Sequence, residues 1–268
     1  MVCVDDIRDR EHRRTTFDRV AERYDSVRPT YPEALLDDLV EVARIPAGGR
    51  VLEIGPGTGK ATVALAERGF EIVGVELGAE LASVARRNLA AFPAAEIVGA
   101  DFEQWEPERA EFDAVVAFTS FHWIAPEVRY EKSARLLRDG GALAIVVPVH
   151  VLVPGVDEDV WNSVEEVYQA IDPDPEGRPP APDEVQDLRE EIEATGLFDE
   201  VIVRRHFWSV DYTADEYAAL LMTYSPNLVL PVDRQAELSS RIHALVSEHG
   251  GLTKTYAGTL NVALYRPR

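Results

Sequence analysis

One cysteine, two methionines and three lysines stand in a chain of 268 residues. With Cys3 alone, no disulfide can close within the chain and no cysteine-based zinc site can be built, so the plain reading is a thiol on a loose terminus. Among the six histidines, His150, His206, His243 and His249 show no metal-ligand spacing, and no metal site is expected. No segment approaches the roughly 20 consecutive apolar residues of a membrane-spanning helix. The start, Met1-Val-Cys-Val-Asp-Asp-Ile-Arg-Asp-Arg-Glu11, carries charge where a secretory leader needs an apolar run, which points to the cytoplasm. Basic clusters are missing too. Asp and Glu number 48 against 27 Lys and Arg, a net charge of −21 that repels phosphate backbones. DNA, RNA and anionic membranes are therefore poor candidates as partners. The only lysines are Lys60, Lys132 and Lys254, so nearly all positive charge is arginine.

What is present is a sizeable apolar fraction, 46%, enough for one large α/β domain with an added lid, or for two small domains. The chain is organised around Arg50-Val-Leu-Glu-Ile-Gly-Pro-Gly-Thr-Gly-Lys60. Val51, Leu52 and Ile54 form a short apolar run, which Gly55, Gly57 and Gly59 break at alternate positions. Val63, Leu65 and Ala66 then suit a buried helix face closed by Gly69. The pattern reads as strand, glycine turn and helix, a turn where backbone can approach a ligand and helix N–H groups point at it. A phosphate-binding loop of the form G-x-x-x-x-G-K-[ST] fails here, with Ile54 and Ala61 at two required positions. The dinucleotide fingerprint G-x-G-x-x-G fails in both registers, at Lys60 and at Thr62. The bland alternative is an ordinary turn between strand and helix. The segment, an acid two residues ahead of three alternating glycines, resembles motif I of the class I S-adenosylmethionine-dependent methyltransferases.

Around that stretch the chain alternates. Phe17, Val20, Ala21 and Tyr24 repeat at helical spacing, after a polar residue 1–16 arm expected to fray. Arg28-Pro-Thr-Tyr-Pro32 makes an extended elbow, since residues before proline avoid the α region. A helix through Leu35, Leu36 and Leu39 leads to the first strand. Further strands are expected at Phe70–Glu76, Glu96–Ala100, Phe112–Phe118 and Ala142–Val147, separated by helices near 60–68, 79–91 and 127–138. Their continuous apolar runs imply strands covered on both faces, as in a parallel sheet. Beyond Val149 the rhythm changes. A helix over 157–171 precedes the proline-rich loop 172–182, and helices follow at 183–194, 213–222 and 233–248. Strands are expected at 200–208 and 258–265, and Thr213-Ala-Asp-Glu216 is a capping-box start.

The resemblance implies a Rossmann-like α/β fold with a seven-stranded sheet, strand 7 antiparallel between strands 5 and 6. On this reading residues 1–268 form a single methyltransferase domain. It has an N-terminal helical cover (1–45), a cofactor-binding core (46–149), a helical lid (150–196) and C-terminal strands and helices (197–268). The resemblance also implies S-adenosyl-L-methionine as cofactor. Glu76 would accept from both ribose hydroxyls, a bidentate charge-assisted contact, though a dinucleotide-binding protein also places an acid there. Leu77 resembles the apolar residue lying against adenine, and Asp101 with the Phe102 backbone N–H the pair that reads its edge. Glu53 resembles the acid that orders the amino-acid end, and the Thr119 carbonyl the acceptor for its ammonium group. Gly55, Gly57 and Gly59 pave the turn, while Tyr24 and Arg28 are further candidates for cofactor contact.

Phe118-Thr-Ser-Phe-His-Trp-Ile124 and the elbow Tyr24-Asp-Ser-Val-Arg-Pro-Thr-Tyr-Pro32 resemble the small-molecule branch that includes the trans-aconitate methyltransferases. His122 is the candidate general base, against a plain role as pocket wall beside Trp123. An already ionised carboxylate acceptor needs alignment rather than a base. Tyr31, Trp123, Trp161 and Tyr224 are candidates to line the acceptor pocket, although aromatics at helical spacing are more often core. The expected activity is methyl transfer to a small metabolite, first of all O-methylation, with an acidic acceptor open through Arg28. Two rivals stand beside it: an NAD(P)-dependent oxidoreductase, and a regulatory protein that keeps the fold without turnover. The sequence does not give the oligomeric state.

Overall fold

The computed structural model describes residues 15–171 and 178–266. The expected frayed arm falls largely on residues 1–14 and the proline-rich loop on 172–177, both outside the described residues. Among the described residues no helix is long and apolar enough to cross a membrane. The chain divides into two compact units.

The first, here called the sheet unit, comprises residues 30–148, 186–206 and 258–266 of those described. Its strands begin with β1 (Arg50–Ile54), β2 (Glu71–Glu76), β3 (Ala95–Gly99) and β4 (Phe112–Phe118). Three longer strands, β5 (Leu137–Val151), β6 (Phe198–Tyr212) and β7 (Leu252–Tyr265), pass from one unit into the other. The seven-stranded order is β3-β2-β1-β4-β5-β7-β6, with β7 antiparallel. β1 lies between β2 and β4 and pairs in parallel with both. A strand in that position has no wet face, which explains why Val51, Leu52 and Ile54 are apolar on both faces and why even Glu53 between them is buried. Crossover helices α3 (Lys60–Glu67) and α4 (Ala79–Asn88) follow β1 and β2, and α5 (Pro126–Leu136) follows β4. Leu52, Phe112, Val115 and Leu143 are wholly excluded from solvent in the core beneath them. Ahead of β1, α2 (Glu33–Val42) buries Leu35, Leu36 and Leu39 on one face.

The second, the helical unit, comprises residues 15–29, 149–171, 178–185 and 207–257. It holds α1 (Ala21–Val27), α6 (Glu158–Ile171), α8 (Ala214–Leu221), a short α9 (Ser225–Leu228) and α10 (Val232–His249). Its own core joins Val160, Val164, Leu220, Leu238, Ile242 and Val246. α7 (Arg189–Thr195) belongs to the sheet unit.

Three expectations need correction. The helix placed at 183–194 is only α7: Pro182 and the turn that Glu184 makes by accepting from the Ala181 N–H hold the earlier residues out of helix. β5 starts at Leu137, because Asp139-Gly-Gly141 sits in an irregular stretch of the ladder rather than ending it. β7 starts at Leu252 rather than Gly258, its polar opening Thr253-Lys-Thr255 being mostly buried.

Candidate functional site

In a parallel sheet, ligands settle outside the carboxyl ends of the strands where the strand order reverses, and here that point lies between β1 and β4. The chain leaves β1 into the glycine turn, where Gly55, Gly57 and Gly59 all take positive φ, +63°, +60° and +85°. Side chains are strained in that region, and glycine is not. A Cβ on Gly55 would stand 2.7 Å from the Ser120 Cβ, so the residue that follows Thr119 also requires glycine there. The Ser120 hydroxyl in turn donates to the Ile54 carbonyl. Asn88 on α4 donates to the Thr58 carbonyl at 2.9 Å and holds the far side of the turn.

Glu76, the last residue of β2, is 6% exposed, and its carboxylate faces this turn. One oxygen accepts from the Gly57 N–H and the other from the Gly78 N–H, each at 2.8 Å. Charge-assisted bonds of this kind fix the carboxylate's place while leaving lone pairs for a second donor. Leu77, next in the chain, is among the few large apolar side chains left exposed. Glu53 is 1% exposed, and its Oε2 has no hydrogen-bond partner. Burial pushes its carboxyl up to about 7, an effect eased by the Thr62 hydroxyl and reinforced by the charge of Glu76. A buried acid short of a partner beside a glycine turn suits a cationic or hydrogen-donating ligand group.

β4 ends in strain. Thr119 holds φ at +61°, a region that β-branched residues avoid. Its N–H donates to the Val146 carbonyl at 3.0 Å, and its hydroxyl lies 3.2 Å from that of Tyr31. The Tyr31 ring packs on Phe118 with centroids 4.8 Å apart. The single turn Phe121–Trp123 then presents His122, whose ring centroid is 4.6 Å from that of Trp123. The protein mass around the imidazole, with the Arg129 guanidinium second, pushes its pKa down. His122 keeps exposed surface, which tempers the fall, and the ring is neutral at pH 7 on either account.

After β3, an Asp101 oxygen accepts from the Glu103 N–H at 3.0 Å, and its carbonyl accepts from Gln104 and Trp105. Asp101 thus shapes the turn that carries it. The Phe102 ring lies in the core, 3% exposed, so only its backbone is placed to meet a ligand. Lys132, buried on α5, pins this loop through the carbonyls of Trp105 and Glu103, the latter at 3.3 Å. Sequence reading missed Ser120 and Lys132. A small residue after β4 was the only local sign of the first, and the second shows only through contacts 27 and 29 residues away.

The sheet unit therefore gathers Tyr31, Glu53, Gly55, Gly57, Gly59, Glu76, Leu77, Asp101, Phe102, Thr119, His122 and Trp123. Tyr24, Arg28, Trp161 and Tyr224 belong to the helical unit. Arg28 there donates to the Thr223 hydroxyl at 2.9 Å and to its carbonyl at 2.7 Å. Among the described residues, no group of three His, Cys, Asp or Glu side chains is placed to hold a metal ion. The turn in the sheet unit fits S-adenosylmethionine: a seated carboxylate for a sugar diol, an exposed leucine for a flat base, and an orphaned acid for the amino end.

Residues 51–141 match the family model described as methyltransferase domain. An uncharacterized methyltransferase of Mycobacterium tuberculosis is 34% identical over 131 residues, which cover 49% of this chain and 51% of that protein. The chain thus spans about half the length of the curated relatives it matches. Among solved structures, a protein of Anaeromyxobacter dehalogenans, described provisionally as a type II methyltransferase, is 25% identical with a TM-score of 0.64. The likeness covers 90% of this chain and 99% of that one. Phosphoethanolamine N-methyltransferase 2 of Haemonchus contortus, in complex with phosphomonomethylethanolamine and S-adenosylhomocysteine, is alike in fold. Its TM-score is 0.53 at 18% identity, over 93% of this chain and 58% of that one. The strand order, the antiparallel β7 and the match over residues 51–141 together make this the Rossmann-like fold of the methyltransferases.

Proposed function

We propose that the chain is an S-adenosylmethionine-dependent methyltransferase acting on a small-molecule acceptor, with O-methylation as the reaction and a carboxylate as one acceptor class. The observation that carries the reading is the Glu76 carboxylate, seated on the Gly57 N–H at the reversal of strand order. Bound there, the cofactor supplies an electrophilic methyl group on a sulfonium.

The chain's own residues supply position and environment. Glu76 grips the ribose diol, Leu77 and the Asp101-Phe102 backbone take the adenine, and Glu53 with the Thr119 carbonyl orders the amino-acid end. Alignment of the acceptor atom with the methyl supplies most of the rate, as expected where proximity and orientation dominate. For a hydroxyl acceptor, the neutral His122 ring takes the proton as the new O–CH₃ bond forms; a carboxylate acceptor arrives ionised and needs no base. The elbow with Tyr24 and Arg28, and the Phe121-His-Trp123 turn, support the branch resembling the trans-aconitate methyltransferases. A net charge of −21 supports small molecules over nucleic acids, and a single cysteine fits a cytoplasmic setting.

Incubation with S-adenosylmethionine and fractionated metabolite pools tests this directly. At least one fraction should release S-adenosylhomocysteine and yield a product heavier by one methylene. If no fraction does so while reduced or oxidised NAD is turned over, the oxidoreductase reading replaces this one.

A further inference from the structure

Among the described residues of the helical unit, a buried Lys254 and a half-buried Arg28 make no ion pair with Asp or Glu. Lys254, on β7, is 4% exposed. Its ammonium donates to the Tyr224 hydroxyl at 3.0 Å, and the faces of Tyr224, Tyr256, Tyr217 and Trp161 stand 4.9, 5.6, 5.7 and 5.9 Å from it. The Arg28 guanidinium lies over the same tyrosine, 4.4 Å from the ring centre, and is anchored by Thr223. Among the described residues neither cation is paired with Asp or Glu. The carboxylates nearest in sequence contact, Asp157 and Asp211, bond the N–H and hydroxyl of Thr253. Side chains alternate along a strand, so Thr253 faces away from the side that Lys254 occupies.

Burying a charge without a counter-charge is unfavourable, and aromatic faces offset only part of the loss. Two further polar atoms in this unit are buried without partners, His150 Nε2 and Trp208 Nε1. The Trp208 ring stacks on Tyr256 at 5.4 Å, and His150 packs on Trp161 at 4.2 Å, so both orphans border the same aromatic cluster.

We infer that Lys254 and Arg28, joined through Tyr224, form the charged end of a binding site in the helical unit for a small planar organic carboxylate. The ammonium and guanidinium meet the carboxylate, the aromatic faces hold its flat body, and the orphaned ring nitrogens serve polar substituents. That the site binds an anion does not rest on the function proposed above.

A competing source of negative charge is Tyr224 itself. Burial raises its pKa, but the charges of Lys254 and Arg28 outweigh burial and bring it down. The test therefore has two measurements on the full-length protein. Calorimetry with benzoate, cinnamate and benzamide should show saturable binding of at least one carboxylate and none of the neutral amide. Lys254→Met should weaken that binding roughly tenfold or more, as for a lost charge-assisted contact. Its far-ultraviolet circular dichroism and melting temperature should match the parent's and show that the variant is folded, and its affinity for S-adenosylhomocysteine, a readout of the sheet unit, should be unchanged. Near neutral pH, the ultraviolet tyrosinate band of the parent should equal that of Tyr224→Phe. Absence of carboxylate binding, or binding indifferent to Lys254→Met, overturns the site. A tyrosinate band lost in Tyr224→Phe also overturns it, because the counter-charge is then internal. Carboxylate binding without S-adenosylhomocysteine binding would instead keep the site and sink the methyltransferase reading.

Discussion

Glu53 carries the sharpest consequence at the scale of single residues. Its folded-state pKa of about 7 lies above the 4.5 of a free side chain, so folding favours the protonated acid. The cost of ionising it in place is absent at low pH and grows as pH climbs from about 4.5 to 7. Replacement by Gln removes that cost. Measured by denaturant titration of the ligand-free protein, the stability of Glu53→Gln relative to the parent should improve by about 2–3 kcal/mol between pH 5 and pH 8. A constant difference would mean that Glu53 is ionised throughout. Gly55→Ala should act in the opposite sense. Its new Cβ would meet Ser120 at 2.7 Å with φ at +63°, so a loss of about 1–3 kcal/mol is expected at every pH. His122 predicts a rate profile. With its pKa below the ordinary 6.5, turnover of a hydroxyl acceptor should stay level from pH 8 to below that value, and an acid limb centred at 6.5 or higher would remove His122 as the base.

Elements were legible where the pattern was local. The largely apolar runs of β1 and β4, the glycines after β1 and the acid ending β2 all announce themselves within a few residues. Thr213-Ala-Asp-Glu216 did so as well, and both bonds of the box are present: Thr213 N–H to Glu216 at 2.9 Å and Glu216 N–H to Thr213 at 3.3 Å. Thr213→Ala should lower the melting temperature by about 2–4 °C, and no change would mean that α8 is held by packing alone. Misreadings cluster where tertiary context overrides local signals. Asp139-Gly-Gly141 looks like a stop, yet pairing with β4 on both sides carries β5 through it. Thr253-Lys-Thr255 looks like a loop because its burial depends on residues far away in the chain. The site shows the same division. The glycines and Glu53 are written in one motif and Glu76 closes the next strand, whereas Ser120 against Gly55 and Tyr224 against Lys254 are pairings across 65 and 30 positions, visible only after folding.

For the whole molecule, charge and cofactor chemistry set the terms. A net charge of −21 means that the folded chain compacts against its own repulsion. Salt screens it, so raising sodium chloride from about 0.05 to 0.5 M should raise the melting temperature; a fall would show that ion pairs such as Arg68 with Asp37, at 2.8 Å, outweigh the general repulsion. The central claim is that the turn after β1 and the carboxylate ending β2 hold a sulfonium nucleoside. Calorimetric titration with S-adenosylhomocysteine tests it most directly. The account predicts saturable binding to the parent protein, loss of that binding in Glu76→Ala, and no heat with NAD. Unchanged affinity in Glu76→Ala, or binding of NAD in place of S-adenosylhomocysteine, would contradict it.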